Sequence, residues 1–485
     1  MKYIRVQNIT APTVWVEDTL QEGRWDAEFV HPDYLDSHEV VLNAKGFMPT
    51  PLGHLLTPKH GLTKGATPPG ADYPSTGIPF LRVQNVSEGY IDLSDHCFIS
   101  EQMDQAIVGS RLQPEDIIFT ITGSIGRVAT VPPYLKMANI NQHLARIRLI
   151  DPSQRYYLIA FLISKYGQAQ VWRRSLGLTR PAINYDQIRA IPIPLPQDKR
   201  LMKYIGELIM QSEMLLGRAS ELQKQAESLF HEFINLTFLE SKLSTLENTL
   251  WNWVLMTDMQ ERWDAEFFQK SFQVLLEHLS SYNPIQLQKL IEKPHKGNQP
   301  EYVSDLNEPD LVPVLTGSEI DPYFINLEKA RRVSFSYHKA ATASALQEND
   351  IVFTVTGPPL GEAALVRKHH LPCNLASEVV RIQKKPEAFS GYLTIVFNSM
   401  IGRIQVSQWC RGIRQKHLYS DQILNFVFPL LDKRTMEIID LMVKDAEDKR
   451  GEAHCLLRQA KQEIEALLEG RIEPFALLRR TQKRS

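Results

Sequence analysis

The chain has 485 residues, 43% hydrophobic and 23% charged, with a formal net charge of −2. That length allows two to four domains with cores of their own, and the near-neutral charge gives no bulk electrostatic signal for a polyanion while leaving room for a local basic patch. Cys97, Cys373, Cys410 and Cys455 are far apart, without CxxC or zinc-type spacing, and no run approaches the ~18 apolar residues of a membrane span; a reduced, cytoplasmic protein is expected.

In chain order, the first event is the hexapeptide Arg24-Trp-Asp-Ala-Glu-Phe29, which returns as Arg262-Trp-Asp-Ala-Glu-Phe267. Short β-type runs follow at Pro79–Val86, Asp116–Gly123, Val128–Val131 and Leu144–Leu149, punctuated by Gly, Pro, Asn and Asp. The second of these, Asp-Ile-Ile-Phe-Thr-Ile-Thr-Gly, recurs at 350–357 with 6 of 8 residues identical. A helix is predicted over Tyr156–Trp172, with Leu158, Phe161, Leu162 and Tyr166 on one face. A polar loop then leads into Ile188–Pro196, where alternate prolines favour an extended edge strand. Residues 157–196 match 392–431 at 12 of 40 positions, in a constant register of 235. A repeat of this length is a duplicated domain rather than a solenoid unit of about 20–50 residues.

Each half closes on a long helix. Ile205, Leu208, Ser212, Leu215, Ala219, Leu222, Ala226, Leu229 and Phe233 recur in steps of three and four, the mark of a coiled-coil seam. Ile439, Met442, Ala446, Ala453, Leu456, Ala460 and Leu467 repeat it, with Lys449 and Glu463 at skipped steps. Two matched helices of about 35 residues, each about 50 Å long, are expected to pair antiparallel.

Catalytic signals are nearly absent. The sequence contains no GxGxxG after a strand, no GxxxxGK[ST], no HExxH and no GxSxG. Val131-Pro-Pro-Tyr134 resembles the tail of an amino-methyltransferase motif, but Val131 cannot accept a hydrogen bond from a target amino group, and a turn is the better reading. Glu240-Ser-Lys242 has the form of a nuclease ExK without an upstream Pro-Asp, and His369-His370 reads as a surface pair. The polar loops carry more. Trp172–Asn184 and Trp409–His417 fill the same slot in the two halves, both cationic and both able to bond phosphates or base edges. Arg180, in the tight Gly-Leu-Thr-Arg-Pro turn, is the candidate for a base contact, and Arg174, at the helix end, for a phosphate contact.

Taken together, Arg24–Phe29, Pro79–Val86, Thr122-Gly-Ser-Ile-Gly-Arg127, and Gly177–Pro196 followed by a long helix resemble the specificity subunit of type I restriction–modification enzymes. The second half departs from the motif, with Arg414-Gln-Lys-His-Leu-Tyr-Ser-Asp replacing Thr179-Arg-Pro-Ala-Ile-Asn-Tyr-Asp. The resemblance implies a mixed α/β fold of two duplicated target-recognition domains, separated by two long antiparallel coiled-coil helices in a pseudo-two-fold arrangement. The expected boundaries are 1–197 for the first recognition domain, 198–246 for the first spacer helix and linker, 247–431 for the second domain, 432–474 for the second spacer helix and 475–485 for a tail. Each domain would read one half of a split target in double-stranded DNA. The chain itself would be non-catalytic and bind no cofactor. Two modification (methyltransferase) subunits would use S-adenosylmethionine, and restriction/translocase subunits ATP and magnesium. An assembly scaffold, or a specificity subunit of another bacterial DNA-modification defence system, is the alternative.

The candidate DNA-contacting residues are Arg82, Gln84, Asn85, Thr122, Ser124, Arg127, Arg173, Arg174, Thr179, Arg180 and Asn184 in the first half. In the second half they are Thr316, Ser318, Thr356, Arg411, Arg414, Gln415, Lys416 and His417. No metal ligand is assigned.

Overall fold

A computed structural model describes residues 2–6, 13–17, 24, 26, 29–68, 70, 73–93, 95–177, 179–246, 254, 262–304, 309–328, 330–412 and 415–482. The chain divides into two units. One is formed by residues 1–216 and 452–485, the other by 217–451. Each therefore joins one of the duplicated domains to half of each long helix.

The first unit holds two four-stranded sheets. In one, the order is Leu62–Lys64, Leu144–Ile147, Ile117–Thr120, Val128–Thr130, all antiparallel. In the other, Cys97–Ile99, Ile78–Leu81, Ala138–Ile140 and Arg111–Leu112 lie side by side, with the central pair parallel. The proline-rich segment Pro192–Pro196 is an extended strand paired with Phe47–Pro51. Alternate prolines are tolerated there because only one edge of that strand is in a ladder. The helix predicted over 156–172 is two helices, Arg155–Ile163 and Lys165–Arg173, broken where Ser164 Oγ caps Gly167 N at 3.2 Å. The break is chemical: a Ser side chain at an N-cap satisfies a donor that a continuous helix would have turned inward. Gly167 follows because a Cβ there would lie 2.1 Å from Phe161 O.

The second unit repeats this plan to the level of register. Leu144 pairs with Thr120 and Ile147 with Ile117 in the first unit; Val379 pairs with Thr354 and Ile382 with Ile351 in the second. Buried polar side chains repeat with it. Tyr157 donates its hydroxyl to Pro194 O, and Tyr392 donates to Pro429 O at 2.8 Å. Ser110 bonds Asn139 as Ser344 bonds Asn374, both at 2.8 Å, and Arg146 and Arg381 each reach a main-chain carbonyl, of Arg111 and Ala345. Such groups are retained in a core because leaving any one unpaired costs more than the bond contributes. One position breaks the pattern. Asp116 is held bidentately by Arg148 at 2.7 and 2.8 Å, while its counterpart Asp350 has Arg381 only at 4.0 Å, and burial pushes its carboxyl above the ordinary range.

The long helices are Lys199–Ile234 and Lys433–Leu468, 36 residues each, close to the expected length. Asp198 and Asp432 cap their starts through bonds to Arg200 N and Thr435 N; Asn235 (φ +49°) and Gly470 (φ +69°) end them in the left-handed conformation. The first helix gives its N-terminal half to the first unit and its C-terminal half to the second, and the second helix does the reverse. In the first unit, Leu201, Ile205, Leu208 and Ile209 share a core with Leu457, Ala460, Ile464 and Leu467, and Tyr204 bonds Glu463 at 3.2 Å. In the second, Ala219, Leu222 and Ala446 form a small cluster against Met442.

The seam read from the sequence fails at its end. Phe230 and Ile234 are buried, at 1% and 0% exposure, while Phe233 is 46% exposed. A straight helix drifts about 20° per heptad against a 3.5-residue repeat, and here the drift turns the last two turns into the second domain's core, where Phe230 lies edge-on to Tyr392. Phe230→Ala should therefore cost about 3–5 kcal/mol, and Phe233→Ala less than about 0.5 kcal/mol, read from urea denaturation midpoints. Equal losses would restore the straight heptad seam.

Candidate nucleic-acid interface

The two polar loops have one backbone frame. In the first domain, Leu176 N donates to Ala182 O at 2.7 Å and Ala182 N returns the bond to Leu176 O at 2.8 Å. Gly123 N binds Pro181 O and Ile183 N binds Ile121 O, both at 3.0 Å, which lays the loop along Thr122. In the second, Arg411 and His417 exchange the same pair at 2.8 and 2.7 Å, Gly357 N binds Lys416 O at 3.3 Å, and Leu418 N binds Val355 O at 2.9 Å. Both turns need glycine. Gly177 (φ +89°) and Gly412 (φ +111°) lie in left-handed space, and a Cβ would come to 2.9 and 2.2 Å of the carbonyl three residues on. The second half thus keeps the backbone frame although its sequence departs from the motif both between Gly412 and His417 and beyond it, through Ser420.

The frame presents a subset of the candidate residues. Ser124, Thr179, Arg180, Asn184, Arg411, Gln415 and Lys416 are exposed, and Thr122, Thr356 and His417 half-buried. Thr356 Oγ1 lies 2.6 Å from His417 Nδ1, burial and the charge of Lys296 lower the His417 pKa, and Asn184 caps the following short helix at Gln187 N. Arg414 lies outside the described residues.

Other candidates serve the scaffold. Arg173 and Arg174, at 1% and 0% exposure, are enclosed, so the expected phosphate contact at Arg174 is withdrawn. Arg173 Nε donates to Phe29 O at 3.0 Å with its guanidinium 3.9 Å from the Phe29 ring centre, and Arg174 Nη1 donates to Gln170 Oε1 at 2.9 Å. Asn85 is buried; it accepts from Arg82 N at 2.8 Å and donates to the carbonyls of Asp92 and Asp95, making a backbone cap that Thr316 and Glu319 rebuild in the second domain at 2.7 Å. Gln84 Nε2 donates to Asp95 Oδ2 at 2.6 Å, and Arg82 lies 3.7 Å from the same carboxylate. Ser318 remains exposed and joins the Thr316–Glu319 cap through its hydroxyl. Arg127 is half-buried, and its main-chain N–H is held by Thr120 Oγ1 at 2.9 Å.

The repeated hexapeptide explains the burial at the loop base. Arg24 chelates Asp26 at 2.6 and 2.7 Å and donates to Arg174 O and Ser175 O at 2.9 and 3.0 Å. Arg262 chelates Asp264 at 2.6 Å through two bonds and donates to Trp409 O at 3.3 Å. Each guanidinium satisfies the carbonyls that a helix end leaves bare, and so fixes the point from which the loop departs. The aspartates titrate below the ordinary range, chiefly through the bond from their arginine.

The residues below the first tip were not foreseen. Exposed Gln142 and half-buried His143 carry side chains to the same place as Arg180. The His369-His370 pair is also not simply surface. His370 is buried with Nδ1 accepting from Arg367 N at 3.1 Å, and it groups with Glu447, the possible ligand atoms of the three residues lying within 4.8 Å of one another. Because the Nδ1 lone pair is already engaged and Arg450 binds Glu447, this cluster is better suited to fastening the loop to the second helix than to holding a cation. Arg367 completes it with two bonds to Asp448 at 2.7 and 2.8 Å.

The two duplicated domains thus share one loop frame and differ in the side chains that it carries. Residues 61–241 match the family described as Type I restriction modification DNA specificity domain, the family that the motifs resemble. It is similar to the Type I restriction enzyme EcoBI specificity subunit of Escherichia coli, 27% identical over 207 residues, 42% of this chain and 42% of that protein. It is also similar to the putative type I restriction enzyme MjaX specificity subunit of Methanocaldococcus jannaschii, 24% identical over 159 residues, 32% of this chain and 36% of that protein. The matched region thus spans about two-fifths of the length of these curated relatives. Among solved structures, the S subunit of a Type-I restriction-modification system from M. genitalium aligns over 88% of this chain and 96% of its own, at 13% identity and a TM-score of 0.40. The HsdS subunit from Thermoanaerobacter tengcongensis aligns over 88% and 98%, at 13% identity and a TM-score of 0.28. Among the described residues no helix is long and apolar enough to cross a membrane.

A test of the loop base uses pH. His38 Nδ1 meets Gln170 Oε1 at 2.8 Å, and burial, with the nearby charge of Arg173, pushes its pKa down from 6.5 to about 4. The unfolded chain takes up this proton near pH 6.5 and the folded one only near pH 4. The contribution of His38 is therefore intact above about pH 6.5 and lost as pH falls toward 4, by about 3 kcal/mol in all. Urea midpoints of the wild type should fall more steeply than those of His38→Gln across that window. Parallel curves would show that His38 is not held neutral.

Proposed function

We propose that the chain is the DNA sequence-recognition subunit of a type I restriction–modification complex, each recognition domain reading one half of a bipartite target in double-stranded DNA. The observation that carries this reading is the repeated loop frame with unlike tips: the two domains hold the same backbone and offer different side chains. Guanidinium and amide groups make bidentate contacts to guanine and adenine edges in the major groove. The tip of the first domain carries Thr179 and Arg180, and that of the second Gln415 and Lys416. Arg411 and His417 sit at the base of the second loop, where Thr356 bonds the imidazole.

On this reading the chain performs no chemistry of its own. Two modification subunits dock on the long helices and supply S-adenosylmethionine-dependent adenine methylation, and restriction/translocase subunits supply the ATP- and magnesium-dependent steps, in the cytoplasm. The near-neutral charge fits a subunit whose partners provide part of the phosphate-binding surface.

Replacing residues 1–197 by the equivalent segment of a relative should change one half of the methylated motif and leave the other half as it was. Adenine-methylation sequencing of cells carrying the reassembled complex reads the outcome. Simultaneous change of both halves would mean a single composite reading site, and an unchanged motif would favour an assembly scaffold.

A further inference from the structure

Arg180 stands exposed at the first loop tip, and its Nη2 lies 3.4 Å from His143 Nε2. A guanidinium can only donate, so that imidazole nitrogen carries the lone pair and the ring proton resides on Nδ1. The surroundings favour this neutral form: burial, and then the charge of Arg180, lower the His143 pKa below its ordinary value. The imidazole does not ride on the loop. His143 O accepts from Ile121 N at 3.0 Å and His143 N donates to Asn141 Oδ1 at 3.2 Å, immediately before the strand Leu144–Ile147. The loop tip thus meets an acceptor built on the sheet.

The second domain keeps the backbone and changes the chemistry. Val355 N donates to Glu378 O at 2.9 Å, the counterpart of the Ile121–His143 bond, so Glu378 occupies the place of His143. In the same register, Ser377 stands for Gln142 and Gln415 for Arg180. An imidazole beneath a guanidinium in one domain becomes a carboxylate in the place beneath an amide in the other. Buried hydrogen-bonded pairs such as Tyr157 and Tyr392 keep their side chain, and this place beneath the tip does not.

We propose that this place beneath the tip is specificity-determining, and that His143 is a positioning residue that fixes the Arg180 guanidinium so that its free N–H groups meet one guanine. The proposal rests on the DNA-reading function above. An exposed arginine loses rotamer freedom when it is fixed; an acceptor on one end of its fork removes part of that cost before DNA arrives. The remaining end-on pair of N–H groups matches guanine O6 and N7.

The test uses the chain assembled with the modification subunits of its own system, and reads the methylated motif and the relative methylation of single-base variants of the target. Arg180→Ala should cut discrimination at one position of one half-site by about tenfold or more. His143→Leu should relax the same position by several-fold, and the double variant should lose no more than Arg180→Ala alone. His143→Gln, whose amide oxygen can stand near Nε2, should retain discrimination. His143→Asn, too short to reach, should behave as the leucine variant and replaces it if that one does not fold. Relaxation at another position, or losses that add in the double variant, would overturn the positioning role. The two failures are distinguishable. If Arg180→Ala alters no position, the reading of DNA by this loop fails; if Arg180→Ala relaxes a position that His143→Leu and His143→Asn leave intact, only the role of His143 fails.

Discussion

The reciprocal main-chain bonds that close each recognition loop are the constraint on which the rest depends. Leu176 with Ala182, and Arg411 with His417, fix the loop base without using a side chain. A backbone clasp of this kind is indifferent to what the four tip residues are, provided that a glycine stands at the entrance to take the left-handed turn. The base is anchored in turn by Arg24 and Arg262, which satisfy helix-end carbonyls about 150 residues further along the chain. Tip chemistry can then vary without loss of the fold, as the proposed reading of DNA requires.

Duplication has preserved the costly features and released the cheap ones. Buried hydrogen-bonded groups recur in pairs, among them Tyr157 and Tyr392, Ser110 and Ser344, and Asn139 and Asn374. A buried polar group that loses its partner costs about 1–3 kcal/mol, so such pairs are lost only together. The Asp116–Arg148 pair shows what happens otherwise: with Gln383 in place of the arginine, Asp350 is left with a distant charge and a carboxyl that resists ionisation. The surface beneath the tips obeys no such restriction, and there His143 has become Glu378.

Much of the architecture was legible because it rests on periodicity. The duplication, the alternate-proline strand and two helices of about 35 residues are patterns in a single chain, and the structure contains them. What escaped has a common cause: it depends on partners distant in sequence. Arg173 and Arg174 look like a solvated cationic helix end until Phe29 and Gln170 are seen to enclose them. The role of the repeated hexapeptide was invisible for the same reason, although its repetition was plain. Phe230 outranks Phe233 because the end of the first long helix enters the second domain's core, where Ile439 and Val443 of the second long helix also lie. Gln142 and His143 carried no local signal at all; only the strand register brings them beneath Arg180.

The central claim, that a conserved backbone frame carries interchangeable reading tips, is tested most directly by moving the tip alone. Residues 413–416 are replaced by Leu-Thr-Arg-Pro from 178–181, four residues for four, with Gly412 and the clasp at Arg411 and His417 untouched. The measurement is the methylated motif of the reassembled complex, with the urea midpoint of the chain as a control on folding. The account predicts an unchanged midpoint, an unchanged first half-site, and a second half-site altered at the positions nearest the tip. A folded, active complex whose second half-site is unaltered would contradict it, and so would an alteration of the first half-site.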